Sequence, residues 1–123
     1  MTWGKIKLRP TDTLFSRYMR LKVKRCEVCK RKGEGDEGIT GLCVSHFYGR
    51  RGESTRFSNE NVSVLCSGCH RKFHERPSDY YDWMKKKLGE KRFKDLVLEA
   101  NRFQKKDDKL AMIYIREKMR ELI

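Results

Sequence analysis

The sequence predicts an α+β fold: a small core of two strands and one helix, with further helices on its N-terminal and C-terminal sides. Three observations predict it. Cys26/Cys29 and Cys66/Cys69 form two Cys-x-x-Cys pairs with 36 residues between them. Two short runs of strand character, 41–47 and 62–65, lie inside that interval. Beyond the second pair, apolar residues recur at helical spacing almost to the end of the chain.

In chain order, Asp12 or Thr13 caps a short helix reaching Lys22, with Leu14, Phe15, Tyr18 and Leu21 along one face. Residues 30–38, KRKGEGDEG, are polar and glycine-rich and read as a knuckle and loop. Residues 41–47, GLCVSHF, alternate as a strand that sets Leu42, Val44 and His46 on one side and Cys43, Ser45 and Phe47 on the other. A basic loop follows, then Asn61 and a second strand over 62–65. A helix runs from Ser67 to Arg76 and stops at Pro77. Ser78 caps the next helix, carrying Tyr81, Met84 and Leu88, and Gly89 ends it. Phe93, Leu96, Val97, Ala100 and Phe103 form one further amphipathic stripe. A last helix opens at Asp107 or Asp108 and lines up Met112, Ile115, Met119 and Leu122. These Met and aromatic stripes are core contacts.

Composition narrows the function classes. Charged residues make up 38% of the 123 and hydrophobic ones 37%, so the apolar core is thin and a staple is expected. Net charge is +13, concentrated in residues 1–32, where 11 Lys/Arg face 2 acids, and again in 80–123. The centre is near neutral. Basic flanks around a neutral centre fit a polyanion, and nucleic acid is the expected partner, held through its phosphates. The opening MTWGKIKLRP lacks the apolar stretch of a secretory signal, and the longest apolar run, 110–115, is too short to cross a bilayer. The expectation is a cytoplasmic protein without membrane contact.

The cysteine spacing suits tetrahedral zinc rather than two independent disulfides, so Cys26, Cys29, Cys66 and Cys69 are the expected ligands of a closed structural Zn²⁺ site. Cys43 is left over, a small buried strand residue. All three histidines of the chain fall in or beside this frame. His70 and His74 stand four apart on one helix face and are placed to grip one ion. His46, ending the first strand, faces the same place if the strands and helix pack as a ββα unit.

These residues, SHFYGRR, TRF, ENV and LCSGCHRKFHERP in order, resemble the HNH endonucleases, the ββα-metal or His-Me finger nucleases, and especially small HNH proteins of bacteriophages and prophages. The resemblance spans residues 26–76. It implies a zinc-stapled ββα-metal core there, with a basic N-terminal arm and helix over 1–25 and a helical extension over 77–123. It also implies His46 as general base, Asn61 as the middle Asn, His70 as the final, metal-binding His, and His74 as an added ligand. Where many members carry Asp or His just before the base, this chain has Ser45, and Glu53 or Glu60 is then a candidate to lend a carboxylate.

The implied activity is metal-dependent hydrolysis of DNA phosphodiesters, by nicking or double-strand cleavage, with one catalytic divalent ion (Mg²⁺, Mn²⁺ or Zn²⁺). Arg50, Arg51 and Arg56 are the expected phosphate contacts. Weak sequence preference is expected, in the host bacterial cytoplasm if the chain is phage-encoded. The alternative is a non-catalytic zinc-knuckle DNA-binding protein, and a homodimer is an open possibility.

Overall fold

A computed structural model describes residues 7–122; the first six residues of the basic arm and the terminal Ile123 lie outside the described residues. The elements are α1 (Pro10–Val23), β1 (Leu42–His46), α2 (Glu53–Arg56), β2 (Val62–Cys66), α3 (Ser67–Glu75), α4 (Pro77–Ala100) and α5 (Asp108–Arg120). The fold is α+β, as expected, with one two-stranded antiparallel sheet among the described residues. No helix among the described residues is long and apolar enough to cross a membrane.

α1 starts earlier than the capping argument predicts. Pro10 supplies the fixed φ that suits a first helical position, and the Asp12 carboxylate turns back to accept the Arg9 N–H at 2.8 Å. Asp12 therefore acts three residues inside the cap. At the other end Lys24 takes a left-handed conformation and its N–H closes on the Arg20 carbonyl.

β1 and β2 pair in the register Leu42↔Cys66, Val44↔Val64 and His46↔Val62. β2 is buried along its whole length: α1 and α3 pack against it, and Met84 and Lys87 of α4 reach Ser63. One cluster gathers Phe15, Tyr18 and Met19 of α1, the strand valines, Leu65, Phe73 of α3 and Ile115 of α5. A second gathers Met84, Leu88, Phe93 and Leu96, all from α4.

The expected stop at Gly89 is a sharp kink inside α4, where Gly89 adopts φ 79° and ψ 169°. The kink folds the helix back so that both halves contribute to one small core, and the glycine is needed because an L side chain resists that φ. Phe103 falls beyond the end of α4 and is 88% exposed, so the predicted stripe ends before it. α5 begins where the sequence indicates, with the Asp107 carboxylate accepting the Leu110 N–H at 3.0 Å. The single turn α2 within the basic loop was not predicted. Four residues are too few to carry a periodic signal.

Candidate functional site

The two Cys-x-x-Cys pairs meet. The first closes a tight knuckle: the Cys26 N–H bonds the Arg31 carbonyl at 2.8 Å, the Lys30 N–H bonds the Cys26 carbonyl, and Lys30 takes φ 69°. The second pair lies where β2 turns into α3. Glu27, between the knuckle cysteines, bolts the halves together: its N–H reaches the Val64 carbonyl at 2.8 Å and its carboxylate accepts the Val64 N–H at 2.6 Å. Lys87 of α4 holds the same carboxylate at 2.9 Å.

The ligand atoms of Cys26, Cys29, Cys66 and Cys69 all lie within 4.8 Å of one another, with Cys29 Sγ and Cys66 Sγ 3.7 Å apart. Tetrahedral zinc with Zn–S near 2.3 Å places its sulfurs about 3.8 Å apart, so the four thiols fit a structural zinc ion. Burial raises the Cys26 thiol, but backbone amides of Cys29, Cys66 and Val28 outweigh it and bring it down to about 7. Cys69 is pushed up to about 12 by burial and by the neighbouring sulfurs. A cation is what this cluster needs to become four thiolates.

The histidines converge beside it. His46, His70 and His74 line one concavity of about 210 Å³, together with Ser45, Phe47, Phe73, Pro77 and Tyr80. His46 is anchored by its Nε2, which donates to the Arg56 carbonyl at 2.9 Å. Its Nδ1 is buried and meets no hydrogen-bond partner. Burial, helped by the nearby Arg50 charge, lowers the ring to about 4, so His46 is neutral at physiological pH.

Asn61 is fully buried and ties down the loop that follows His46. Its Oδ1 accepts the Tyr48 N–H at 2.8 Å, and its Nδ2 donates to the Tyr48 carbonyl at 2.8 Å and the Thr55 carbonyl at 3.1 Å. It thus holds both ends of the loop whose last turn, α2, presents the Arg56 carbonyl to His46. Ser45 is buried, its hydroxyl 2.9 Å from the Tyr80 phenol, which burial pushes up to about 12.

His70 and His74 are exposed on α3. His70 Nδ1 lies 3.4 Å from Cys43 Sγ, which in turn lies 3.3 Å from the Leu65 carbonyl. Among the described residues the four cysteines are the only group of three or more His, Cys, Asp or Glu close enough to share an ion, so neither Glu53 nor Glu60 joins the two histidines. Both carboxylates are committed elsewhere, Glu53 to Arg9 and Glu60 to Arg92.

The three arginines part company. Arg51 is exposed and Arg50 half-buried. Arg56 is buried, and its guanidinium grips Asp12, with Nε 2.8 Å from Oδ1, and reaches the carbonyls of Arg50 and Lys7. Arg56 is therefore a fixture of the fold and not an outward phosphate contact. The sequence offered no signal for this, since Asp12 and Arg56 are far apart in the chain and each suits a surface. Tyr80 and Cys43 were missed as site residues for the same reason.

No family model matches this chain, and comparison with curated proteins and with solved structures returns no match.

Proposed function

We propose that this chain is a metal-dependent DNA endonuclease of the HNH type, with a zinc-stapled ββα-metal core. The observation that carries the reading is the concavity on which His46, His70 and His74 converge, with the Nδ1 lone pair of His46 left without a protein partner. The family resemblance assigned the same three residues to one reaction from their order in the chain.

Hydrolysis of a phosphodiester needs a water deprotonated as it attacks, and His46 is the base, its buried Nδ1 having to become exposed for that water to reach it. The Arg56 carbonyl can only accept, so Nε2 keeps the ring hydrogen and Nδ1 holds the lone pair. An incoming phosphate, being negative, raises the His46 pKa back toward its ordinary value near 6.5 and strengthens the base as substrate arrives. Asn61 holds the loop and hence the ring. That matters because a misplacement of about 1 Å can cost on the order of 100-fold in rate.

A divalent ion, when bound, neutralises charge on the phosphate and steadies the departing oxygen. His70 and His74 would hold it. Two imidazoles with no carboxylate suit Mn²⁺, Zn²⁺ or Co²⁺ better than Mg²⁺, which demands oxygen ligands. Arg50 and Arg51, on the loop anchored by Asn61, would contact flanking phosphates, along with the basic N-terminal region.

Nicking of supercoiled plasmid with Mn²⁺, Zn²⁺ or Mg²⁺, compared between wild type and His46→Ala, tests this reading. The expected result is cleavage by wild type and a loss of at least ~100-fold in the variant. Equal cutting by both would remove His46 from the reaction. DNA binding with one tightly held zinc and no cleavage under any metal would make the chain a zinc-knuckle DNA-binding protein instead.

A further inference from the structure

We infer that Cys43 is a positioning residue for His70: its sulfur fixes the ring as the Nδ1–H tautomer and leaves the Nε2 lone pair for a ligand. The inference deepens the endonuclease reading, since it concerns the histidine assigned there to the ion, but its own content is a proton position.

Two contacts define the geometry. Cys43 Sγ lies 3.3 Å from the Leu65 carbonyl oxygen and 3.4 Å from His70 Nδ1. A carbonyl only accepts, so the thiol proton belongs on the Leu65 side. The sulfur is then an acceptor toward His70, and the hydrogen between them sits on Nδ1. This is the one assignment that makes hydrogen bonds of both contacts. A thiolate at Cys43 would accept from the same Nδ1–H, so the tautomer does not depend on the state of the thiol.

The strand placement makes the relay rigid. Cys43 is paired with Leu65 across the β1–β2 ladder, and Leu65 is fully buried next to Cys66, a residue of the four-cysteine cluster. His70 follows directly on Cys69, the last of that cluster. The sheet therefore sets the sulfur and the knuckle sets the ring. Ligand histidines elsewhere gain orientation and basicity from a partner on their other nitrogen, and loss of that partner typically costs 10–100-fold in metal affinity. Here the partner is a thiol, where a carboxylate or backbone carbonyl is usual.

The test uses the 123-residue chain, zinc-loaded and ¹⁵N-labelled, at pH 8 and a long-range ¹H–¹⁵N correlation of the histidine rings, without a second metal. Wild type and Cys43→Ser are expected to show His70 as Nδ1–H, since a serine hydroxyl can make the same relay, while Cys43→Val loses that preference. His46 should remain Nε2–H in all three, which verifies that each variant is folded. An Nε2–H tautomer for His70 in wild type overturns the inference, and so does an unchanged Nδ1–H tautomer in Cys43→Val. Titration with Co²⁺, followed by its visible absorption, is expected to weaken 10–100-fold in Cys43→Val and to stay near wild type in Cys43→Ser. Should the tautomers behave as expected while no second ion binds and no DNA is cut, the positioning role stands and the endonuclease reading falls.

Discussion

His46 Nε2 donates to the backbone carbonyl of Arg56 across 2.9 Å, and this one contact joins the end of β1 to the single turn α2. The Arg56 side chain, pointing the other way, is locked onto Asp12 of α1. The ring of His46 is therefore oriented by a backbone group whose own position is set by a buried ion pair. Consequences for stability and for activity follow from the same residues.

The burial of His46 makes folding sensitive to acid. Its pKa is lowered to about 4 in the fold, whereas the unfolded chain takes up that proton near pH 6.5. Between these values the unfolded state binds more protons, so stability rises with pH there and is fully present above about 6.5. Acidifying from pH 7.5 to 5 is expected to cost about 2 kcal/mol through this group. Urea titrations of wild type and His46→Gln at the two pH values measure it. The variant should lose less by that amount, and identical losses would show that His46 is not the group responsible.

Breaking the Asp12–Arg56 pair is expected to be costly. Burial raises the Asp12 carboxyl, but the Arg56 hydrogen bond, the Arg9 amide and the charges of Arg56 and Arg50 outweigh it and hold it below its ordinary value. Its stabilisation is thus present above about pH 4 and is lost as pH falls through the lowered folded value. Asp12→Asn removes the carboxylate that the buried Arg56 guanidinium grips, leaving it only the charges of Glu53 and Asp108, and should destabilise by about 3 kcal/mol at pH 7. A thermal melt within a degree or two of wild type would contradict the pairing.

Asn61→Ala removes all three hydrogen bonds that clamp the loop and leaves the Tyr48 N–H with its acceptor gone. A loss of about 2–4 kcal/mol is expected. On the proposed endonuclease reading, cleavage measured well below the melting point should fall by ~100-fold, with DNA affinity close to wild type, because the group displaced is the proposed base and not a proposed phosphate contact. A variant that loses stability but keeps its full rate would show that the clamp supports only the fold.

The four-cysteine cluster should release one zinc per chain when the thiols are capped with a mercurial, measured with a chromogenic zinc indicator. With Cys69 held up to about 12 in the metal-free cluster, zinc uptake must displace protons, so the apparent affinity should weaken as pH falls. Chelation is expected to unfold the sheet and α3 together, seen as loss of protection of the β2 amides in hydrogen exchange. Protection that survives complete zinc removal would reduce the cluster to an ornament of the fold.

Much of this was legible beforehand. The two cysteine pairs, the strand runs and the glycine at 89 are local signals, and each has a local physical cause: ligand spacing, side-chain alternation, a φ that only glycine adopts readily. Asn61 and His46 were legible as a pair only through their order in a family pattern. The pairing of Arg56 with Asp12 is not legible, because a basic loop looks the same in sequence whether its arginines face solvent or a buried carboxylate 44 residues away. Cys43 reads in the sequence as packing because its contact with His70 crosses 27 residues.

The sequence by itself determined the two strands and the main helical segments, the four-cysteine set and the placing of all three histidines in or beside it, since these depend on spacing along the chain. Tertiary structure decided which nitrogen of His46 is anchored, which arginine is spent on the fold, and where α1 must pack to make that so. Those outcomes rest on single hydrogen bonds and one buried ion pair between distant segments. Their directions follow from which groups donate and which accept once the core has closed, and no local pattern in the chain encodes them.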